Sequence, residues 1–184
     1  MTSSEKTSLA PGAIDTAAAQ VGTCYAGESD RGGGRARLAI VCSRFNGAVT
    51  ERLLGGVIEA FKAQGIDQAS VTLAWVPGAF ELPLVAQRFA VSGEVDAVVV
   101  LGAVIRGETP HFDYVAGECA AGCQQVALST GVPIVFGVLT TEDVEQALRR
   151  SAPGTENRGY QAALTALEMC DLLGKLPAMP ARVV

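Results

Sequence analysis

The sequence predicts a three-layer α/β/α sandwich built on a four-stranded parallel sheet. Three observations predict it. Short, nearly continuous apolar runs recur along the chain, as strands buried on both faces require. Between them lie longer stretches with apolar residues at helical spacing. Strands and helices alternate throughout, which is the pattern of right-handed βαβ units. The order and number of elements make the architecture flavodoxin-like.

Each element has its own signal. Arg37 to Cys42 (RLAIVC) is the first apolar run. Val49 to Gln64 places Leu53, Leu54, Val57, Ile58 and Phe61 on one helical face, with Gly65 as a stop. Ser70 to Val76 is the second strand, and Pro77-Gly78 ends it. Phe80 to Val91 reads as a helix with Pro83 in its first turn, where a missing N–H costs nothing. Val95 to Leu101 is the third strand and Phe112 to Ser129 the helix after it. Val132 to Val138 is the fourth strand. Glu142 to Arg150 and Arg158 to Leu173 are closing helices.

Residues 1–35 read as a flexible N-terminal arm, rich in Ala, Ser, Thr and Gly and ending in Gly32-Gly33-Gly34. A short piece around Val21 to Tyr25 has the composition of an edge strand. The glycine triplet precedes a strand instead of following one, so it is not a dinucleotide-binding loop. Residues 36–184 form one domain, long enough to bury a core without staples.

Composition narrows the function. The chain has 184 residues, is 49% hydrophobic and 18% charged, and carries a net charge of −5. A nucleic-acid footprint needs a basic face, which is missing here. No apolar run approaches the ~20 residues that cross a bilayer. The start of the chain has no apolar core of a secretory signal, so the cytoplasm is expected. The five cysteines, an odd number without framework spacing, are expected to be buried thiols in a reducing compartment. Cys119 and Cys123 share a helix face, but a metal pair there would need further ligands, and no metal site is expected.

Parallel topology puts every strand's C-terminal end on one edge, and ligands bind outside those ends. The segments after the strands therefore converge on one rim. Thr109-Pro110 has the form of a helix start, Thr as N-cap and Pro at the first helical position, with Gly107 allowing a tight turn before it. Such a terminus is equally an anion site and a plain capped turn. His111, the single histidine, falls in the first helical turn. Histidine is the natural acid/base near neutral pH, although a lone one is often structural or simply solvated. Phe45 beside Asn46 is either a core aromatic or a platform for a planar ligand. Glu81 is either helix-start decoration or an acceptor for hydroxyls. Arg149 and Arg150 complement a helix dipole, or one of them clamps a phosphate.

Taken together, these segments resemble the lumazine synthases. The residues that carry the likeness are SRFN at 43–46, WVPGAFELP at 75–83, LGAVIRGETPHFDYV at 101–115, VPIVFGVLTTEDVEQALRR at 132–150 and NRGYQAALTALEM at 157–169. The likeness spans roughly residues 36 to 173, and the run GAVIRGETPHFDYV is its most specific part. It implies condensation of 5-amino-6-(D-ribitylamino)uracil with 3,4-dihydroxy-2-butanone 4-phosphate to 6,7-dimethyl-8-ribityllumazine, in riboflavin biosynthesis. No metal, flavin or nicotinamide is implied.

The resemblance also implies roles. Phe45 stacks on the pyrimidine, and Ala79, Phe80 and Glu81 hold the ribityl chain. Ala103, Val104 and Ile105 meet the uracil edge, largely through backbone. Glu108 and Thr109 offer N–H groups to the ketose phosphate, and His111 transfers protons. Phe136 and Arg150 come from a neighbouring subunit, Arg150 pairing with the phosphate. A homopentamer with sites at subunit interfaces is implied; an icosahedral shell and an association with riboflavin synthase are allowed without being required. Two departures bear on assembly: Arg158 stands where the family commonly has lysine, and the link SAPGTE at 151–156 has its own wording. The rival readings are a non-catalytic flavin- or lumazine-binding module of the same fold, and a shell-forming protein whose enzymatic role is secondary.

Overall fold

The computed structural model describes residues 23–30 and 36–177. The glycine triplet and Val21 lie outside the described residues, and residues 23–25 are not in a strand. Four parallel strands form the sheet: β1 (Leu38–Ser43), β2 (Val71–Val76), β3 (Ala97–Ile105) and β4 (Ile134–Thr141), in the order β2-β1-β3-β4. Among the described residues five helices accompany them: α1 (Gly47–Ala63), α2 (Leu82–Ser92), α3 (His111–Thr130), α4 (Val144–Arg150) and α5 (Arg158–Lys175). Short 3-10 turns stand at Gln68–Ser70 and Ala79–Glu81.

Strand periodicity explains the two cores. Leu38, Ile40 and Cys42 point to one face, where Leu53, Val57 and Phe61 of α1 and Ala163 and Leu167 of α5 cover them. Ala39 and Val41 point to the other, under Leu82 and Ala86 of α2 and Cys119 and Cys123 of α3. The central strands β1 and β3 are thus covered on both faces, which is why they read as continuous apolar runs, while the edge strand β2 stays partly exposed. Full burial of a side chain such as Phe61 contributes about 1.5–3 kcal/mol. Gly65, just past α1, has φ 72°, the left-handed conformation a glycine stop provides.

The strand ends depart from the sequence-based boundaries in a way that matters. Gly102–Ile105 and Leu139–Thr141 were expected in rim loops; both are strand. The reason is mutual: β3 and β4 stay paired from Val98↔Ile134 to Ile105↔Thr141, each completing the other's ladder. The pairing of β3 with β1, by contrast, stops at Cys42↔Leu101. Beyond that point the chain leaving β1 follows β2, with the N–H of Arg44 donating to Val76 O and that of Phe45 to Pro77 O. So β1 and β3 part company at the topological switch point, and a crevice opens between them.

Thr109 does not cap α3. The helix starts one residue later than the Thr-Pro wording suggests, with Pro110 at the cap position and no side-chain acceptor on the terminus. Pro110 sits at φ −68° and ψ 3°, and its carbonyl already accepts from the N–H of Asp113. Proline thus stands outside the first helical position, which leaves the Thr109 side chain too far back to reach the first-turn N–H groups.

Candidate active site

The crevice is a cavity of about 680 Å³. Its walls come from four places. The turn after β1 gives Phe45; the turn after β2 gives Pro77, Gly78, Ala79, Phe80 and Glu81. The free end of β3 gives Ala103, Val104 and Ile105, followed by Gly107 and Thr109. The first turns of α3 give His111, Phe112, Tyr114 and Val115.

Local geometry fixes each group. Asn46 is the one described non-glycine residue with positive φ, at 58°, and its Nδ2 donates to Ala103 O over 2.8 Å. Asparagine tolerates this conformation because its short amide can bond locally. The bond spans the gap where β1 and β3 separate, and it turns the chain so that Phe45 stands 70% exposed at the mouth. An aromatic that exposed is not a core residue. Phe80, also exposed, stands at the second turn.

Glu81 is half-buried, and its Oε2 accepts from the N–H of Gly78 over 2.9 Å. The bland reading of Glu81 as helix-start decoration therefore describes one of its oxygens, while the residue also lines the cavity. Ala103 and Val104 are buried, with their backbone on the β3 edge that β1 has vacated. His111, exposed, is the first residue of α3.

Three residues singled out from the sequence lie elsewhere. Glu108 is exposed in the loop before α3 and does not line the cavity. Phe136 and Arg150 line a second cavity of about 630 Å³ along β4, with Arg158 and Gln161, and the two cavities share no lining residue. Arg150 Nη1 reaches only Gln146 O, at 3.4 Å, while Arg149 pairs loosely with Glu145 at 3.6 Å.

Sequence reasoning missed some of the wall. Phe112, Tyr114 and Val115 belong to it because α3 starts at the rim and its first two turns face the crevice. Helical spacing from His111 to Tyr114 and Val115 carried that signal. The cysteines take no part. Cys42, Cys119 and Cys123 are buried, Cys170 is half-buried and Cys24 is exposed. Burial pushes the Cys42 thiol up to about 12 and that of Cys170 to about 11, so both stay protonated and unreactive.

A doubly wound α/β protein with an aromatic, a carboxylate and an imidazole gathered at its switch point has the form of a small-molecule-binding protein. The family described as 6,7-dimethyl-8-ribityllumazine synthase matches residues 35–174. A 6,7-dimethyl-8-ribityllumazine synthase of Protochlamydia amoebophila (strain UWE25) is 51% identical over 142 residues, covering 77% of this chain and 83% of the relative. The chain belongs to the 6,7-dimethyl-8-ribityllumazine synthase family, and it is a transferase of riboflavin biosynthesis.

Proposed function

We propose that the crevice condenses 5-amino-6-(D-ribitylamino)uracil with 3,4-dihydroxy-2-butanone 4-phosphate, giving 6,7-dimethyl-8-ribityllumazine, phosphate and water. The observation that carries the site assignment is the separation of β1 from β3 beyond Leu101, which exposes one backbone edge beside Phe45, Glu81 and His111. A uracil is flat and edged with donors and acceptors. It pairs with the backbone of Ala103, Val104 and Ile105 while Phe45 covers its face. The ribityl chain runs over Ala79 and Phe80 to the second oxygen of Glu81.

The ketose phosphate binds by the start of α3, where N–H groups from Glu108 onward and the positive end of the helix dipole favour an anion. The aryl amine attacks the ketone carbon and water leaves, forming a Schiff base. Elimination then expels phosphate, and the ribitylamino nitrogen closes the second ring with loss of water. Each step needs a proton moved, and His111 stands where the phosphate leaves. Holding two reactants together supplies up to roughly 7–11 kcal/mol of the barrier.

Phe136 and Arg150 fit this reading as gifts to a neighbouring subunit. They line a cavity that shares no residue with their own chain's crevice, and among the described residues the Arg150 fork reaches only Gln146 O, at 3.4 Å. We therefore infer a ring of subunits, a homopentamer, with each site completed across an interface; an icosahedral shell and a contact with riboflavin synthase are compatible with it. Among the described residues no helix is long and apolar enough to cross a membrane, and five free thiols suit the cytoplasm. Residues 1–35 stand outside the catalytic domain.

The test is to supply both substrates and follow lumazine absorbance. Turnover is expected. A protein that binds riboflavin or lumazine in the crevice yet makes no lumazine is instead a binding module.

A further inference from the structure

We propose that Arg106 is a positioning residue that holds the first turn of α3, and with it the His111 ring, against the end of the sheet. The inference rests on the reading of His111 as the proton-transfer group. The turn needs a brace. Among the described residues no side chain caps α3, and residues 107–110 before it are an exposed loop. Within that loop the start of the helix is held by one backbone bond, from the N–H of Asp113 to Pro110 O.

Arg106 spans from the end of the sheet to the turn. Its backbone N–H donates to Thr141 O over 2.9 Å, which locks its root into the last rung of β3 and β4. Its guanidinium carbon lies 4.1 Å from the centre of the Phe112 ring. Its Nη1 donates to Asp113 Oδ1 at 3.2 Å and its Nε to Glu142 Oε2 at 2.8 Å. Phe112 and Asp113 are the two residues after His111. Glu142 sits in the turn between β4 and α4. One planar group thus ties the His111 turn to the sheet through its face and its edge at once.

Two alternatives fail on this geometry. Arg106 is not a free anion binder, because its fork is shared between two carboxylates that overbalance its charge. It is not a stability device either, because both carboxylates are more than half exposed, and exposed ion pairs contribute little to folding. What remains is aim. A proton-transfer group displaced by an ångström loses much of its effect. Lysine would keep the charge but could not stack and bond two carboxylates together.

The experiment is a double-mutant cycle on the full chain with both substrates, reading kcat, each KM and the melting temperature. Arg106→Gln should lower kcat by about 5- to 50-fold, leave both KM values within a few-fold and barely move melting. Arg106→Lys should recover less than half of the loss. In a His111→Ala background, Arg106→Gln should change kcat by less than about two-fold, since the ring it aims is gone. Should Arg106→Gln fold poorly, Asp113→Asn cuts the same brace from the helix side and should show the same dependence on His111. An equal loss in both backgrounds, an intact kcat, or an effect confined to the KM of the ketose phosphate overturns the proposal. A wild-type rate in His111→Ala alone overturns the reading of the site and the brace with it, and is distinguishable from every other outcome.

Discussion

At the scale of single residues, the proposed reaction divides the crevice between groups that touch ligand and groups that aim them. His111 belongs to the first kind. It is exposed and lines the cavity, so its removal takes little from the core. His111→Ala is expected to lower kcat by about 10–10³-fold with melting nearly unchanged. The lower end reflects a substrate pair that is already reactive: the aryl amine is a nucleophile and phosphate a good leaving group. A purely structural histidine would give the opposite pattern, a lower melting temperature with kcat intact. Turnover at the wild-type rate from pH 6 to 8 would remove His111 from the mechanism. Asn46 belongs to the second kind. Its amide reaches Ala103 O across the gap between strands. The sequence offered Asn46 only as a neighbour of Phe45, because a left-handed backbone at a non-glycine residue leaves no mark in composition.

At the scale of elements, α1 and α5, which cover one face of the sheet, are tied together near their starts. Asn157 is the clearest anchor. It is buried, and its Oδ1 accepts from the N–H groups of Gly159 and Tyr160, capping α5. Its Nδ2 donates to Arg52 O on α1 and to Ser151 O just past α4. Asn157→Ala removes the cap and takes a donor from the buried Ser151 O and a second one from Arg52 O, at a cost of about 2–4 kcal/mol. Melting should fall by roughly 5–15 °C, with kcat per folded site preserved. A melting temperature within a degree of wild type would mean that α5 is held by packing alone. The elements themselves were legible from their apolar patterning, most clearly β1 and β3, which are buried on both faces and had to be apolar. Their ends at the rim were not. Whether Gly102–Ile105 is strand or loop depends on a partner strand distant in sequence, and no local pattern encodes that. The site was legible where it is contiguous, as in the segment containing His111. Its braces were not, since Arg106 draws on Glu142, 36 residues away.

At the scale of the whole molecule, the proposed ring of subunits makes two surfaces of one chain complementary halves of a site. The stretch from Ala26 to Glu28 rests on the C-terminal end of α5, where Lys175 donates to Ala26 O and the N–H of Glu28 to Asp171. That end of α5 lies at the edge of the sheet away from the crevice, because α5 runs antiparallel to the strands. Truncation before Arg35 should therefore leave activity per site within a few-fold, even if assembly shifts. A truncated protein that folds and forms rings yet is inactive would place the arm in the site.

The division between Arg150 and the crevice makes a sharper demand. Arg150→Ala should chiefly raise the KM of the ketose phosphate, by the equivalent of about 1.5–3 kcal/mol for one charge-assisted contact. If that arginine serves its neighbour, the defect of His111→Ala and the defect of Arg150→Ala lie in different chains of each site. Subunits of the two variants, unfolded together and reassembled at equal amounts, should then regain activity that neither has alone. With random mixing, about a quarter of the sites would pair an intact His111 with an intact Arg150, so about a quarter of the wild-type rate is expected at low ketose phosphate. Random mixing gives that same fraction no recovery at all if both residues act within one chain, since every site then carries one lesion or the other. A mixed assembly that is no more active than the average of its two parents would confine the whole site to a single subunit and remove Arg150 from the interface.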